Sequence, residues 1–214
     1  MAWKILLAAV AAALLLLLVD PFPRTSPYLT VHNEGDAVVL VWEGPIDPPM
    51  NKALRTAVRR APNGDQPLVL VLVSPGGSVQ EGDKVIRTLR NLSKDRRIVT
   101  YVPPGAICAS MCVPVFMAGA ERVAAADSEF MFHDAYSVDS ATGARVDDGL
   151  AISAALNANV FRRYIGQSIA SAAIVETLEA DIAQNGEAWR TGRQLFRSRP
   201  NIVTQISAQT PTTN

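Results

Sequence analysis

The sequence predicts an α/β domain with mostly parallel strands and a site where strand ends meet helix starts. Two stretches carry that expectation. Residues 68–73 are six consecutive aliphatics, the pattern of a strand buried on both faces, and they run into Ser74-Pro-Gly-Gly-Ser78 before a helical stretch over 80–92. The same order then recurs, with an aliphatic strand at 98–102, the turn Pro103-Pro104-Gly105, and an apolar stretch at 109–118 expected to be a second buried helix.

The remaining elements follow from local pattern. Residues 37–42 form a buried strand, 44–49 a proline-rich turn, and 51–60 a helix with Leu54, Ala57 and Val58 on one face. Residues 62–67, rich in proline, asparagine and glycine, break that helix. Arg122-Val-Ala-Ala-Ala leads to a short strand, Phe130-Met-Phe132, with His133 at its end. Beyond it the chain is expected to be mostly helical, over 147–165 and 170–184, with a polar, frayed tail from 206 to 214.

The start of the chain is different. Lys4 precedes an uninterrupted apolar run from Ile5 to Val19, closed by Asp20-Pro21, which is the layout of a signal peptide or a signal anchor over residues 1–19. The alanines precede the leucines, whereas a small-residue cleavage signal should follow the run, so a retained transmembrane anchor is favoured. Lys4 on one side and Asp20 on the other orient the globular part away from the cytoplasm, on the periplasmic side, or secreted if the segment is cleaved. Residues 20–36, with Pro21, Pro23, Pro27 and Gly35, read as an extended tether, and the folded unit as 37–205.

Composition excludes several functions. In 214 residues, 20 Lys+Arg balance 20 Asp+Glu, so the electrostatic footprint of a nucleic-acid binder is missing, and Arg59-Arg60 and Arg162-Arg163 read as solvated faces. The 49% apolar content excludes a disordered chain, and two cysteines and two histidines argue against a disulfide-dense scaffold or a metal site. No phosphate-cradling glycine loop is present, so nucleotide hydrolysis is not expected.

Three segments point to one chemistry. Ser110, in Cys108-Ala-Ser-Met-Cys112, sits after a turn at an expected helix start, where unpaired N–H groups can stabilise an oxyanion; a serine there also serves simply as a cap. His133 at a strand end is either a general base or a structural residue, and Gly76-Gly77 either a plain turn or a donor aimed at the oxyanion. Taken in order, Gly44-Pro-Ile-Asp47, Ser74-Pro-Gly-Gly-Ser78, Gly82, Ala109-Ser110-Met111, Ala118-Gly119, Arg122, Phe130-Met-Phe-His133 and Gly166-Gln-Ser168 resemble the proteolytic subunit of the Clp protease, within the Clp protease/crotonase superfamily.

The resemblance spans about residues 37–205. It implies a ββα spiral and a serine peptidase with Ser110 as nucleophile, His133 as general base, and the backbone N–H groups of Gly77 and Met111 as oxyanion donors. Counting back from Trp189 puts the third member at Glu187, with Asn185 and Asp181 as alternatives. It implies peptides or unfolded proteins as substrates, no cofactor and no metal, and self-association through the helix after the polar stretch 136–150. The related signal peptide peptidase A branch uses a serine–lysine dyad; here no lysine follows Ser110 and only Lys84 is a candidate, so the histidine form is expected. The alternatives are an inactive scaffold of the same fold and a crotonase-type acyl-CoA enzyme. Cys108 and Cys112 are either small buried packing residues or, if Cys108 precedes the first helical turn, a disulfide bracing the Ser110 turn.

Overall fold

The computed structural model describes residues 26–34, 36–61, 66–134, 137–138, 142, 145–146, 172–198 and 202–207. Eleven strands lie among them: β1 Leu29–Asn33, β2 Val38–Glu43, β3 Leu68–Val73, β4 Ile98–Val102, β5 Ile107–Ala109, β6 Glu121–Ala124, β7 Glu129–His133, β8 Ser137–Val138, β9 Arg145–Val146, β10 Glu187–Thr191 and β11 Gln205–Ile206. The helices are α1 Met50–Arg60, α2 Val79–Leu92, α3 Cys112–Met117, α4 Ala172–Asn185 and α5 Gly192–Arg197.

A six-stranded sheet has the order β1-β2-β3-β4-β6-β11, parallel throughout except for β1, which runs antiparallel to β2. The alternation Leu-Val-Leu-Val-Leu in β3 sorts the two faces. Leu68, Leu70 and Leu72 join the main core under the helices, while Val69 and Val71 join Val39, Val99, Tyr101 and Val123 in a second cluster on the opposite face. Both sets are buried, which explains why a central parallel strand carries no polar residue. α1 turns Met50, Ala53, Leu54 and Ala57 inward at helical spacing. Its second residue is held from α2, where the buried Glu81 carboxylate accepts the Asn51 N–H at 2.9 Å.

A second sheet, in the order β10-β7-β5, carries the features of interest. β5 and β7 are parallel and β10 is antiparallel to β7. An isolated bridge between Ser74 and Cys108 joins its β5 edge to the end of β3, and another joins Ile46 to Gly77.

The structure differs from the sequence expectations in four places. Residues 29–33, read as part of a tether, are the edge strand β1, with Leu29 and the preceding Ser26 buried. The stretch 109–118 is not one helix: Ile107–Ala109 is a strand, Ser110 and Met111 form a turn, and the helix starts only at Cys112, because Cys108 and Ala109 pair with Phe130 and Met131. Glu187–Thr191, beyond the helix expected over 170–184 and given no element of its own, is a strand, set up by Gly186 (φ +80°), which ends α4. Ile206, expected in a frayed tail, pairs with Ala124. Among the described residues no helix is long and apolar enough to cross a membrane; the apolar run at 5–19, the helix expected over 147–165 and Gly166-Gln-Ser168 lie outside them.

Candidate active site

Ser110 leaves β5 in a left-handed backbone conformation, φ +53°, the only such non-glycine among the described residues. L-residues avoid this region, so the surrounding contacts must hold it. Its N–H donates to the Met131 carbonyl of β7 at 2.8 Å, and its own carbonyl accepts from the Val113 N–H of α3 at 3.0 Å. A disulfide between Cys108 and Cys112, with Cα atoms 5.2 Å apart, spans the same turn, and both cysteines are fully buried. Cys108 thus lies in a strand before the first helical turn, the arrangement in which closure is geometrically allowed.

The glycine turn after β3 packs directly on this serine. Gly76 adopts φ +97° and Gly77 φ +148°. A Cβ placed on Gly76 would sit 2.6 Å from Ser110 Cβ and 2.7 Å from the Ala109 carbonyl oxygen. The turn is pinned on its other side, where the Ile46 N–H donates to the Gly76 carbonyl at 2.7 Å and the Ser78 N–H to the Asp47 carboxylate at 3.0 Å. Ser78 also caps α2, its hydroxyl accepting the Glu81 N–H. Among the described residues, the N–H groups of Gly77 and Met111 donate to no protein acceptor. Two unengaged backbone donors beside a serine are the raw material of an oxyanion site.

The second sheet fixes where the other candidates lie. β5 and β7 are parallel with Ala109 opposite Met131, so Ser110 and His133 both leave the same end of the sheet. β10 runs antiparallel with Glu187 directly opposite His133, so its first residue lies at that end too. A directly opposed antiparallel pair shares one face with Cβ atoms about 5 Å apart. β7 buries Phe130 and Phe132 on the inner face, with Phe130 packed edge-on against Phe116 at 5.1 Å, so His133 and Glu187 occupy the outer one.

The His133 ring Nδ1 is hydrogen-bonded to the Asp134 carbonyl oxygen. A carbonyl only accepts, so Nδ1 carries a hydrogen and donates it to Asp134. The Glu187 carboxylate accepts the Trp189 indole N–H at 2.8 Å. In this conformation it therefore neighbours His133 across the strand pair while being held by Trp189, two residues along the same face. Of the alternatives, Asp181 is ion-paired with Arg190, and Asn185 is exposed at the end of α4. Lys84 is paired with Glu81 on α2 at 3.2 Å.

Sequence reasoning missed Trp189 as a partner of Glu187, and Asp134 and Met131 as backbone acceptors. The Glu-x-Trp spacing of two was the available signal for the first, since alternate residues of a strand share a face. Among the described residues no cluster of histidine, cysteine and acidic side chains could hold a metal ion.

The family model described as Clp protease matches residues 57–172. Among solved structures, a ClpP1 mutant from Listeria monocytogenes superposes with a TM-score of 0.55 at 15% identity, covering 78% of this chain and 90% of that one. At that identity the likeness is one of fold. Among curated proteins none matches the chain.

Proposed function

The chain belongs to the Clp protease family, and from that premise we propose that it is a serine peptidase cleaving peptides or loosely folded proteins without cofactor or ATP. The observation that carries the reading is the shared end of one sheet from which Ser110, His133 and Glu187 all emerge, with Gly76 packed against the serine.

In this mechanism His133 Nε2 takes the Ser110 hydroxyl proton as Oγ attacks the scissile carbonyl carbon. The carbonyl oxygen becomes an oxyanion received by the N–H groups of Gly77 and Met111, donors each worth about 3–4 kcal/mol in a comparable protease. His133 returns its proton to the leaving amine, and a water repeats the sequence on the acyl-enzyme. Glu187 stabilises the imidazolium that forms transiently.

The apolar run at 5–19, with Lys4 before it, supports a membrane tether that holds the domain outside the cytoplasm, away from ATP-driven unfoldases. Family members are oligomeric, and self-association belongs to this reading as well.

A fluorophosphonate probe tests it. An adduct located by mass spectrometry on Ser110, absent in Ser110→Ala and strongly slowed in His133→Ala, is the expected result. A folded protein without an adduct refutes the reading and leaves a binding module of the same fold.

A further inference from the structure

The strand-to-helix turn that carries Ser110 is closed by a covalent ring, and we propose that Cys108 and Cys112 are positioning residues: their disulfide holds Ser110 in its reactive backbone conformation, making activity conditional on the oxidised state. This rests on the serine-peptidase reading.

The anchors of the ring are asymmetric and rigid. Cys108 is the middle residue of β5, paired with Phe130 and bridged to Ser74; Cys112 is the first residue of α3. Both are at 0% exposure in the main core, so neither end of the tie can drift. Between them lie only Ala109, Ser110 and Met111. Four residue steps of free chain reach about 13 Å, yet these Cα atoms stand 5.2 Å apart. The chain folds back within those four steps, and the residue that takes a left-handed φ there is Ser110, at +53°, a region that L-residues avoid.

Without the tie, Ser110 and Met111 keep three backbone hydrogen bonds, Ser110 N–H to Met131, Val113 N–H to Ser110 and a long one from Val115 N–H to Met111. Nothing covalent then opposes relaxation of φ at Ser110 into the ordinary region. Such relaxation would swing Oγ away from the Nε2 side of His133 and rotate the Met111 N–H, which follows it in the chain. The expected defect is in the acylation step, since probe contacts outside the turn are untouched, and a misplacement of about 1 Å costs on the order of 10²-fold in rate.

Reduction is balanced by a dithiol: it delivers two electrons and two protons to the Cys108–Cys112 bond, leaving two thiols on the protein and a disulfide on the reductant. The buried position means that exchange requires local opening, so the bond suits a lasting brace set by the compartment better than a rapid toggle.

The test compares the oxidised protein, the Cys108→Ala/Cys112→Ala variant, and protein reduced with dithiothreitol until its mass rises by two hydrogens. Each is titrated with the fluorophosphonate probe so that the maximal acylation rate and the probe affinity are obtained separately. The expected result is a fall in maximal rate of about 10- to 100-fold in both reduced and alanine forms, affinity within about threefold, and recovery on reoxidation of the reduced sample. If the alanine pair fails to fold, Cys108→Val/Cys112→Ala restores core volume without restoring the bond. Equal maximal rates in oxidised and disulfide-free forms overturn this proposal alone. No adduct on the folded, oxidised protein overturns the peptidase reading and this proposal with it.

Discussion

Gly76→Ala tests whether the glycine turn positions the nucleophile. The new Cβ would stand 2.6 Å from Ser110 Cβ, 2.7 Å from the Ala109 carbonyl oxygen and 3.1 Å from the Met111 nitrogen. Carbon atoms pack best at about 3.5–4.0 Å, so the turn and the serine must separate by about 1 Å. Two of the three obstructing atoms are backbone, and no flexible side-chain end can swing aside. The φ of +97° adds a conformational cost of about 1–3 kcal/mol for a residue with a Cβ, and overpacking adds about 1–3 kcal/mol. Partial relaxation makes about 3 kcal/mol of lost stability the expected value. Gly105→Ala separates the two contributions, because Gly105 has φ +65° but nothing within 4 Å of its would-be Cβ. It should lose only the conformational part, about 1 kcal/mol, and leave Ser110 acylation unchanged. Guanidinium unfolding gives the stabilities and fluorophosphonate labelling below the transition gives the rates, where Gly76→Ala should label about 10²-fold more slowly. A Gly76→Ala protein as stable as Gly105→Ala and labelling at the parent rate would show that the two turns do not constrain each other.

Three further outcomes are expected. Glu187→Gln should slow acylation by about 10²-fold or more, while Asn185→Ala changes it by less than about twofold, which single-turnover labelling resolves; the opposite ranking would transfer the third role to Asn185. Arg122 is a largely buried guanidinium donating to the Ile202 and Gly119 carbonyls at 2.7 and 3.1 Å, so Arg122→Ala should cost about 2–3 kcal/mol in denaturant unfolding by leaving those acceptors unpaired; a loss below about 0.5 kcal/mol would contradict the argument. Burial, reinforced by the charge of Asp127, raises the Tyr101 phenol above its ordinary pKa. A raised folded-state value means that the neutral form stabilises the fold; the contribution is fully present below the unfolded pKa, about 10, and is lost as pH rises through the folded one. Ultraviolet titration should show one tyrosine ionising late and vanishing in Tyr101→Phe; ionisation of all tyrosines together would refute the assignment.

The parallel sheet was legible because its residues have little choice. Six aliphatics at 68–73 can satisfy a strand only with both faces covered, and Ser74-Pro-Gly-Gly-Ser78 supplies the turn together with the cap of the following helix. β1 and β10 were not legible for opposite reasons. β1 carries His32 and Asn33 at an edge where polar residues cost little, so its pattern resembles that of a linker. β10 follows a helix after a single glycine and shows its character only through what it pairs with, since Ala188 is buried because Phe132 is, and Glu187 matters because His133 lies opposite.

The site follows the same division. Ser110 and His133 could be proposed from motif order, because each stands beside a local signal, a glycine-flanked turn or a strand end. That they leave one end of one sheet is a property of register: with Ala109 opposite Met131 the parallel pair ends together, whereas a slip of one residue would turn His133 to the buried face. The left-handed φ of Ser110 was likewise hidden, since serine carries no conformational mark of the kind glycine does. What the sequence did carry was the pair of cysteines at a spacing of four, and their meaning depended on whether the helix began before or after Ser110. The helix begins after it, at Cys112, so the same boundary shift that breaks the expected helix at 109–118 frees Cys108 to close the ring around the serine. Starting the helix about one turn earlier, at Cys108, would bring Ser110 into a regular helical φ and set the cysteine Cβ atoms too far apart for a disulfide, so the nucleophile turn and the disulfide are two consequences of one strand-to-helix junction.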